Sequence, residues 1–247
     1  MVERPTIAER LRREGPPTPP RRSASVILVR DGAAGLQLLL VQRSPQQRFM
    51  GGFWVFPGGA VDAGESDRAT AVRELAEEAA VTGVDPDALV PYSRWITPEA
   101  IQVRFDTRFF VVRAPAAARP RVDGQECVAL RWTMPGAAVA AYAAGDLALV
   151  LPTFKLLEGL APFATVDELL EHAAGRDVQP ILPRVVHGGG GTRVLLPGEP
   201  GYEVRGKYES VRTCAESARA SPSPDTGPPA GSRNLAARAQ KPCKQRS

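Results

Sequence analysis

The chain has 247 residues, 43% hydrophobic and 23% charged, enough to bury one sizeable core and ordinary for a soluble globular protein. Its longest apolar run, Ala137 to Ala144, is far too short to span a bilayer, and the N-terminal residues interleave acids and bases with no apolar stretch behind them, which predicts no secretory signal and a cytoplasmic location. The net charge of +4 invites a nucleic-acid reading, but residues 212–247 hold seven Lys or Arg against two acids and leave 1–211 at −1, so the basicity belongs to a tail.

Residues 1–22 end in Gly-Pro-Pro-Thr-Pro-Pro-Arg-Arg and read as a flexible arm. A domain is expected over 23–211, with a disordered basic tail over 212–247. Two antiparallel strands are predicted from Ser23 and from Leu36 to Arg43, with Asp31-Gly32 as the turn between them. Trp54-Val55-Phe56 then leads into a Pro57-Gly58-Gly59 turn and a helix from about Ser66 to Val81. Further strands are predicted over Arg104–Val112 and Cys127–Trp132, and helices around 135–145, 153–161 and 165–174. Thr165 and Glu168 of the last helix form a capping-box pattern. Residues 181–186 and 192–196 flank Gly188 to Gly191 and read as a hairpin. Cys127, Cys214 and Cys243 have no disulfide or zinc spacing.

The chemistry concentrates in the first helix. With Glu74 at zero and about 100° per residue, Glu78 falls near +40° and Glu77 near −60°, so three carboxylates share one face. Val72, Leu75, Ala76 and Ala79 form the opposite, apolar face. Clustered glutamates repel one another, and a hard divalent cation is one way to offset this; a solvated acidic face is the other. Arg73 stands one turn before Glu77 and can hold that carboxylate or Glu65. The glycines ahead of the helix expose backbone, where a carbonyl could serve as a further ligand, and Glu65-Ser66 gives a capped, acid-favouring start.

This segment resembles the Nudix box, G-x5-E-x7-R-E-U-x-E-E-x-G-U, matching it at Gly59, Glu65, Arg73, Glu74, Leu75, Glu77, Glu78 and Val81. Ala80 replaces the usual glycine, so Thr82-Gly83 is expected to end the helix instead. The resemblance implies an α/β (α+β) Nudix fold, a mixed β-sheet sandwiched between helices over roughly 23–150, followed by a helical extension and hairpin. It also implies Mg²⁺ or Mn²⁺ held by Glu74, Glu77, Glu78 and the backbone of Gly59, with Arg73 and Glu65 organising the loop. Glu77 and Glu78 are the expected principal ligands, with Glu74 a ligand or the general base. The implied reaction is hydrolysis of a diphosphate linkage in a small nucleotide-like substrate. Leu40–Ser44, Phe49–Gly59 and Arg104–Phe110 look like the subgroup of coenzyme A diphosphatases, which makes CoA or an acyl-CoA one candidate.

Glu126 is a further candidate acid beside the strand leading to Trp132. Arg43, Arg104 and Arg108 could meet phosphate or be ordinary strand-face charges, and Phe53 and Trp54 could stack on a base but read better as core. His172 and His187 lack partners at ligand spacing. The rival to the enzyme is a non-catalytic Nudix-fold module that binds a nucleotide-like ligand or RNA.

Overall fold

A computed structural model describes residues 16–47, 49–188 and 191–203. The expectations for residues 1–15 and for the tail, 212–247, lie outside them. Of the chain's two compact units, Met1–Arg205 contains every described residue.

Strand β1 (Arg21–Gly32) begins two residues before Ser23, and Ser23 to Val29 are all buried. Continuous burial needs cover on both faces, which is why the sequence here shows no polar alternation. β1 pairs antiparallel with β2 (Gly35–Arg43) and β4 (Gly58–Ala60), and in parallel with β6 (Phe105–Arg113). β3 (Trp54–Val55) and β7 (Cys127–Thr133) join β2; β5 (Val90–Ile96) and β8 (Pro180–Ile181) extend the sheet beyond β6. Among the described residues this makes a mixed eight-stranded sheet.

The sheet lies between two helical layers. On one face Ala24, Val26, Leu28, Leu39 and Val41 pack with Ala71, Leu75 and Ala79 of helix α1 (Asp67–Ala79). On the other, Ile27, Val29, Leu38 and Leu40 meet α2 (Pro135–Ala143), α3 (Leu151–Leu160) and α4 (Val166–Ala174). The expected sandwich architecture is therefore present. So is the Thr165–Glu168 capping box of α4. β9 (Arg184–Gly188) and β10 (Gly191–Leu195) form the expected hairpin, while Ile181 belongs to β8 instead.

Three local expectations are corrected. Asp31 and Gly32 are the end of β1; Gly32 pairs with Gly35, so Ala33-Ala34 makes the turn, and Asp31 instead accepts a 2.8 Å hydrogen bond from the Val166 amide. The Pro57-Gly58-Gly59 turn is largely strand, with Gly58 and Gly59 in β4 opposite Ser25 and Ala24. The helix does not run on to Thr82-Gly83. Ala80 itself takes the left-handed conformation, φ 53° and ψ 30°, and its amide reaches back to the Ala76 and Leu75 carbonyls, so the chain ends the helix where a glycine would, at the strain of a Cβ there.

Strand β5 has no counterpart in the predicted elements. Pro91 withholds a ladder donor, and the pairing with β6 shifts between Pro91 and Ser93, so the period-2 signal is broken inside the strand.

Candidate active site

The loop ahead of α1 is held rigidly to β1. The Val26 amide and the Ser25 hydroxyl both donate to the Pro57 carbonyl at 2.8 Å, and the Val61 amide donates to the Arg22 carbonyl. Helix α1 then starts on Ser66, whose Oγ accepts from the Ala69 amide at 3.2 Å, so the box glutamates project from a helix with a fixed start.

Arg73 is the hub of the site. Its guanidinium donates to Glu65, to Glu74 Oε1 and Glu77 Oε2 at 2.8 Å each, and to the Ala60 carbonyl at 3.3 Å. Thr70 donates to Glu65 at 2.6 Å. Arg73 and then Thr70 hold the Glu65 carboxyl below its ordinary range, while Glu65 and Glu74 push the guanidinium further up. The expected Arg73 contacts to Glu65 and Glu77 are both made; the one to Glu74 is an addition.

Glu74 and Glu78 turn toward β4. Gly59 is the floor under Glu74: a Cβ there would stand 2.2 Å from Oε1 and 2.4 Å from Cδ. Glu78 is 2% exposed, accepts the Gly58 amide at 3.0 Å and pairs with Arg43 Nη1 at 3.3 Å. Burial pushes its carboxyl up to about 7 against the pull of Gly58 and Arg43, and Glu74 and Glu126 add repulsion. Burial also raises Glu74, opposed by Arg73 and reinforced by Glu77 and Glu126. Glu77 shares Arg73 Nη1 with Glu74 but is 59% exposed, on the solvent side of that guanidinium. The three glutamates therefore divide, two inward and one outward, and among the described residues no group of three His, Cys, Asp or Glu side chains stands ready to hold an ion.

Glu126 is exposed, but its backbone is fixed: its amide donates to Asp123 Oδ2 at 2.8 Å, and its carbonyl accepts the Ser44 amide at 2.7 Å. Asp123 also takes the Cys127 amide at 2.8 Å. Sequence reasoning passed over Asp123, the Gly58 amide and Cys127, whose buried thiol is raised by burial and by the neighbouring Glu78. The pairing of Arg43 with Cys127 across β2 and β7 is what brings these residues together, and no local spacing signals it.

The remaining candidates have structural partners. Arg43 serves Glu78, and its Nε is buried without a hydrogen-bond partner. Arg104, 7% exposed, donates to the Thr18 and Thr97 carbonyls, while Arg108 pairs with Asp67. Trp54 and Phe53 pack in the core layers. His172 contacts Arg176 and His187 contacts Thr192.

The inward pair fits a hard divalent ion. Its donors are carboxylate oxygens beside the Gly58 and Gly59 peptide groups, and burial and mutual repulsion raise both carboxyls against the pull of Arg73 and Arg43, a cost that a cation would relieve.

The NUDIX domain profile matches residues 19–154, more than half of the chain, and the chain belongs to the NUDIX family. The human acyl-coenzyme A diphosphatase NUDT19 is 32% identical over 122 residues, 47% of this chain and 32% of that protein. A protein of Mycobacterium tuberculosis with the provisional name 8-oxo-dGTP diphosphatase 3 is 32% identical over 141 residues, 52% of this chain and 63% of its own length. The chain thus spans between about one third and two thirds of these two relatives. Among solved structures, a NUDIX hydrolase from Alicyclobacillus acidocaldarius is 27% identical with a TM-score of 0.56, covering 62% of this chain and 96% of that one. No helix among the described residues is long and apolar enough to cross a membrane.

Proposed function

We propose that the protein hydrolyses a diphosphate linkage in a nucleoside diphosphate derivative, with Mg²⁺ or Mn²⁺ as cofactor and CoA or an acyl-CoA as the first substrate class to try. The observation that carries this reading is the burial of Glu74 and Glu78 beside Gly59 and Gly58, where desolvation and mutual repulsion raise both carboxyls against the pull of Arg73, Arg43 and the Gly58 amide. Glu74, Glu78, the Gly59 carbonyl and, once released from Arg73, Glu77 would hold the ion. When bound, it supplies Lewis-acid neutralisation of the phosphate oxygens.

The chain's own residues do the rest. Arg73 keeps Glu65 and Glu74 in place and restrains Glu77. Arg43 and the Gly58 amide orient Glu78 as a charged ligand despite its burial. Proton uptake from the attacking water falls to a carboxylate oxygen of Glu74 or Glu126, the two acids that border Glu78. The acyl-CoA direction draws on the human relative and the subgroup resemblance; the mycobacterial relative argues for testing 8-oxo-dGTP beside it.

The test is a substrate panel of CoA, acyl-CoA, 8-oxo-dGTP, NADH, ADP-ribose and diadenosine polyphosphates with Mg²⁺ or Mn²⁺, comparing wild type with Glu74→Gln and Glu78→Gln. Turnover that needs the metal and is lost in both folded variants supports the enzyme. Tight binding of a panel member without hydrolysis would move the assignment to a ligand-binding module.

A further inference from the structure

A second cluster of charge lies at the start of α1, away from the box glutamates. On the face of the sheet that α1 covers, Arg22 of β1, Arg108 of β6 and Arg94 of β5 stand side by side, and Arg68 of α1 joins them around a cavity of about 430 Å³. Asp67 pairs with both Arg22 and Arg108, and Arg94 holds Asp106 through two hydrogen bonds of 2.8 and 2.7 Å. Arg68 donates to the Pro86, Asp87 and Leu89 carbonyls and has no carboxylate among those partners. Four guanidinium groups thus face two carboxylates.

The register sharpens the imbalance. Arg94 and Arg108 are direct cross-strand partners, an arrangement that costs stability when both carry the same charge. Each fork has partners, but two carboxylates neutralise only two of the four guanidinium groups, so the rim of the cavity carries surplus positive charge for an incoming anion. Guanidinium groups bind phosphoryl oxygens in pairs, and the cavity wall adds the Ser93 and Ser66 positions beside the apolar Pro91 and Val178.

We propose that this cavity is an anion site, distinct from the Glu74–Glu78 cluster, that takes a phosphoryl group. The row running Arg94, Arg108, Ala24, Gly59 across β5, β6, β1 and β4 sets the separation: Arg108 lies two strand spacings, about 10 Å, from Gly59.

The site is tested on the full chain in EDTA, so that no metal can recruit phosphate to the glutamates. Inorganic phosphate and phenyl phosphate are titrated calorimetrically, with chloride at matched ionic strength as the reference. Saturable binding is expected, weakened about tenfold in Arg94→Gln and in the more exposed Arg22→Gln and unchanged in Arg73→Gln. Circular dichroism checks that each variant is folded. Preference for inorganic phosphate identifies a free-phosphate site, and preference for phenyl phosphate an ester site. Absence of saturable binding, or binding that survives both arginine substitutions or is lost in Arg73→Gln, overturns the proposal. Hydrolysis plays no part in the readout, so this result and that of the substrate panel stand independently.

Discussion

Gly59 leaves room for the carboxylate of Glu74 and for nothing further: a Cβ on Gly59 would approach the Glu74 Oε1, Cδ and Oε2 atoms to 2.2, 2.4 and 2.7 Å. Those atoms are the far end of a flexible side chain, so Gly59→Ala should fold and displace Glu74. A loss of about 100-fold in kcat/KM with little change in Tm is expected, since a 1 Å misplacement costs that much. Gly58→Ala differs, because its Cβ would meet the Ala24 carbonyl at 2.5 Å and Ser25 Cα at 2.7 Å. Backbone cannot step aside, so this variant should lose about 1–3 kcal/mol of stability by chemical denaturation. Equal behaviour of the two variants would count against the geometry.

Arg73→Ala releases Glu65, Glu74 and Glu77 together. Removing such an orienting group typically lowers activity or metal affinity about 10- to 100-fold. Arg73→Lys keeps the charge without the fork and should recover only part of it. Steady-state kinetics across a Mn²⁺ titration distinguishes the two, and full recovery by lysine would mean that charge alone suffices.

Ala80→Gly should stabilise the protein by about 1 kcal/mol, because it removes a Cβ from a left-handed residue at the end of α1. A Tm rise of about 2–4 °C follows for a domain of this size. A fall in Tm would show that the methyl group is favoured by packing.

How much of this was legible depended on distance along the chain. The acidic stripe of α1, its Ser66 cap and the Thr165 capping box are contained within a few residues, and a 3.6-residue period exposes them. The partners of Glu78 are not local. Arg43 and Gly58 reach it through strand register, over separations of 35 and 20 residues, and Cys127 arrives from a third strand. The outward turn of Glu77 was illegible for a different reason. It depends on which carboxylates share the Arg73 fork, and four compete for it, those of Asp62, Glu65, Glu74 and Glu77.

Asp31 supports a pH-dependent prediction. The Val166 amide and then Arg113 hold its carboxyl below the usual value of 3.8. A depressed carboxylate contributes stability above its unfolded value and loses it as pH falls through the lower, folded one. Asp31→Asn should therefore lower stability at pH 7, by less than about 1 kcal/mol because the side chain is half exposed and screened by solvent. The gap between variant and wild type should narrow in thermal melts as the pH falls below 3.8. A gap that persists in acid would assign the effect to shape instead of charge.

The same Asp31–Val166 link bears on where this chain can be cut. The family match stops at residue 154, yet Leu156, Leu157 and Leu160 of α3 and Val166, Leu169 and Ala173 of α4 are 5% exposed or less and cover the sheet face opposite the box. A fragment ended at the homology boundary would bare an oily wall to water and should precipitate on expression, whereas one carried past Ala174 keeps that wall roofed. For this protein, the segment that the family shares is shorter than the core that closes over it.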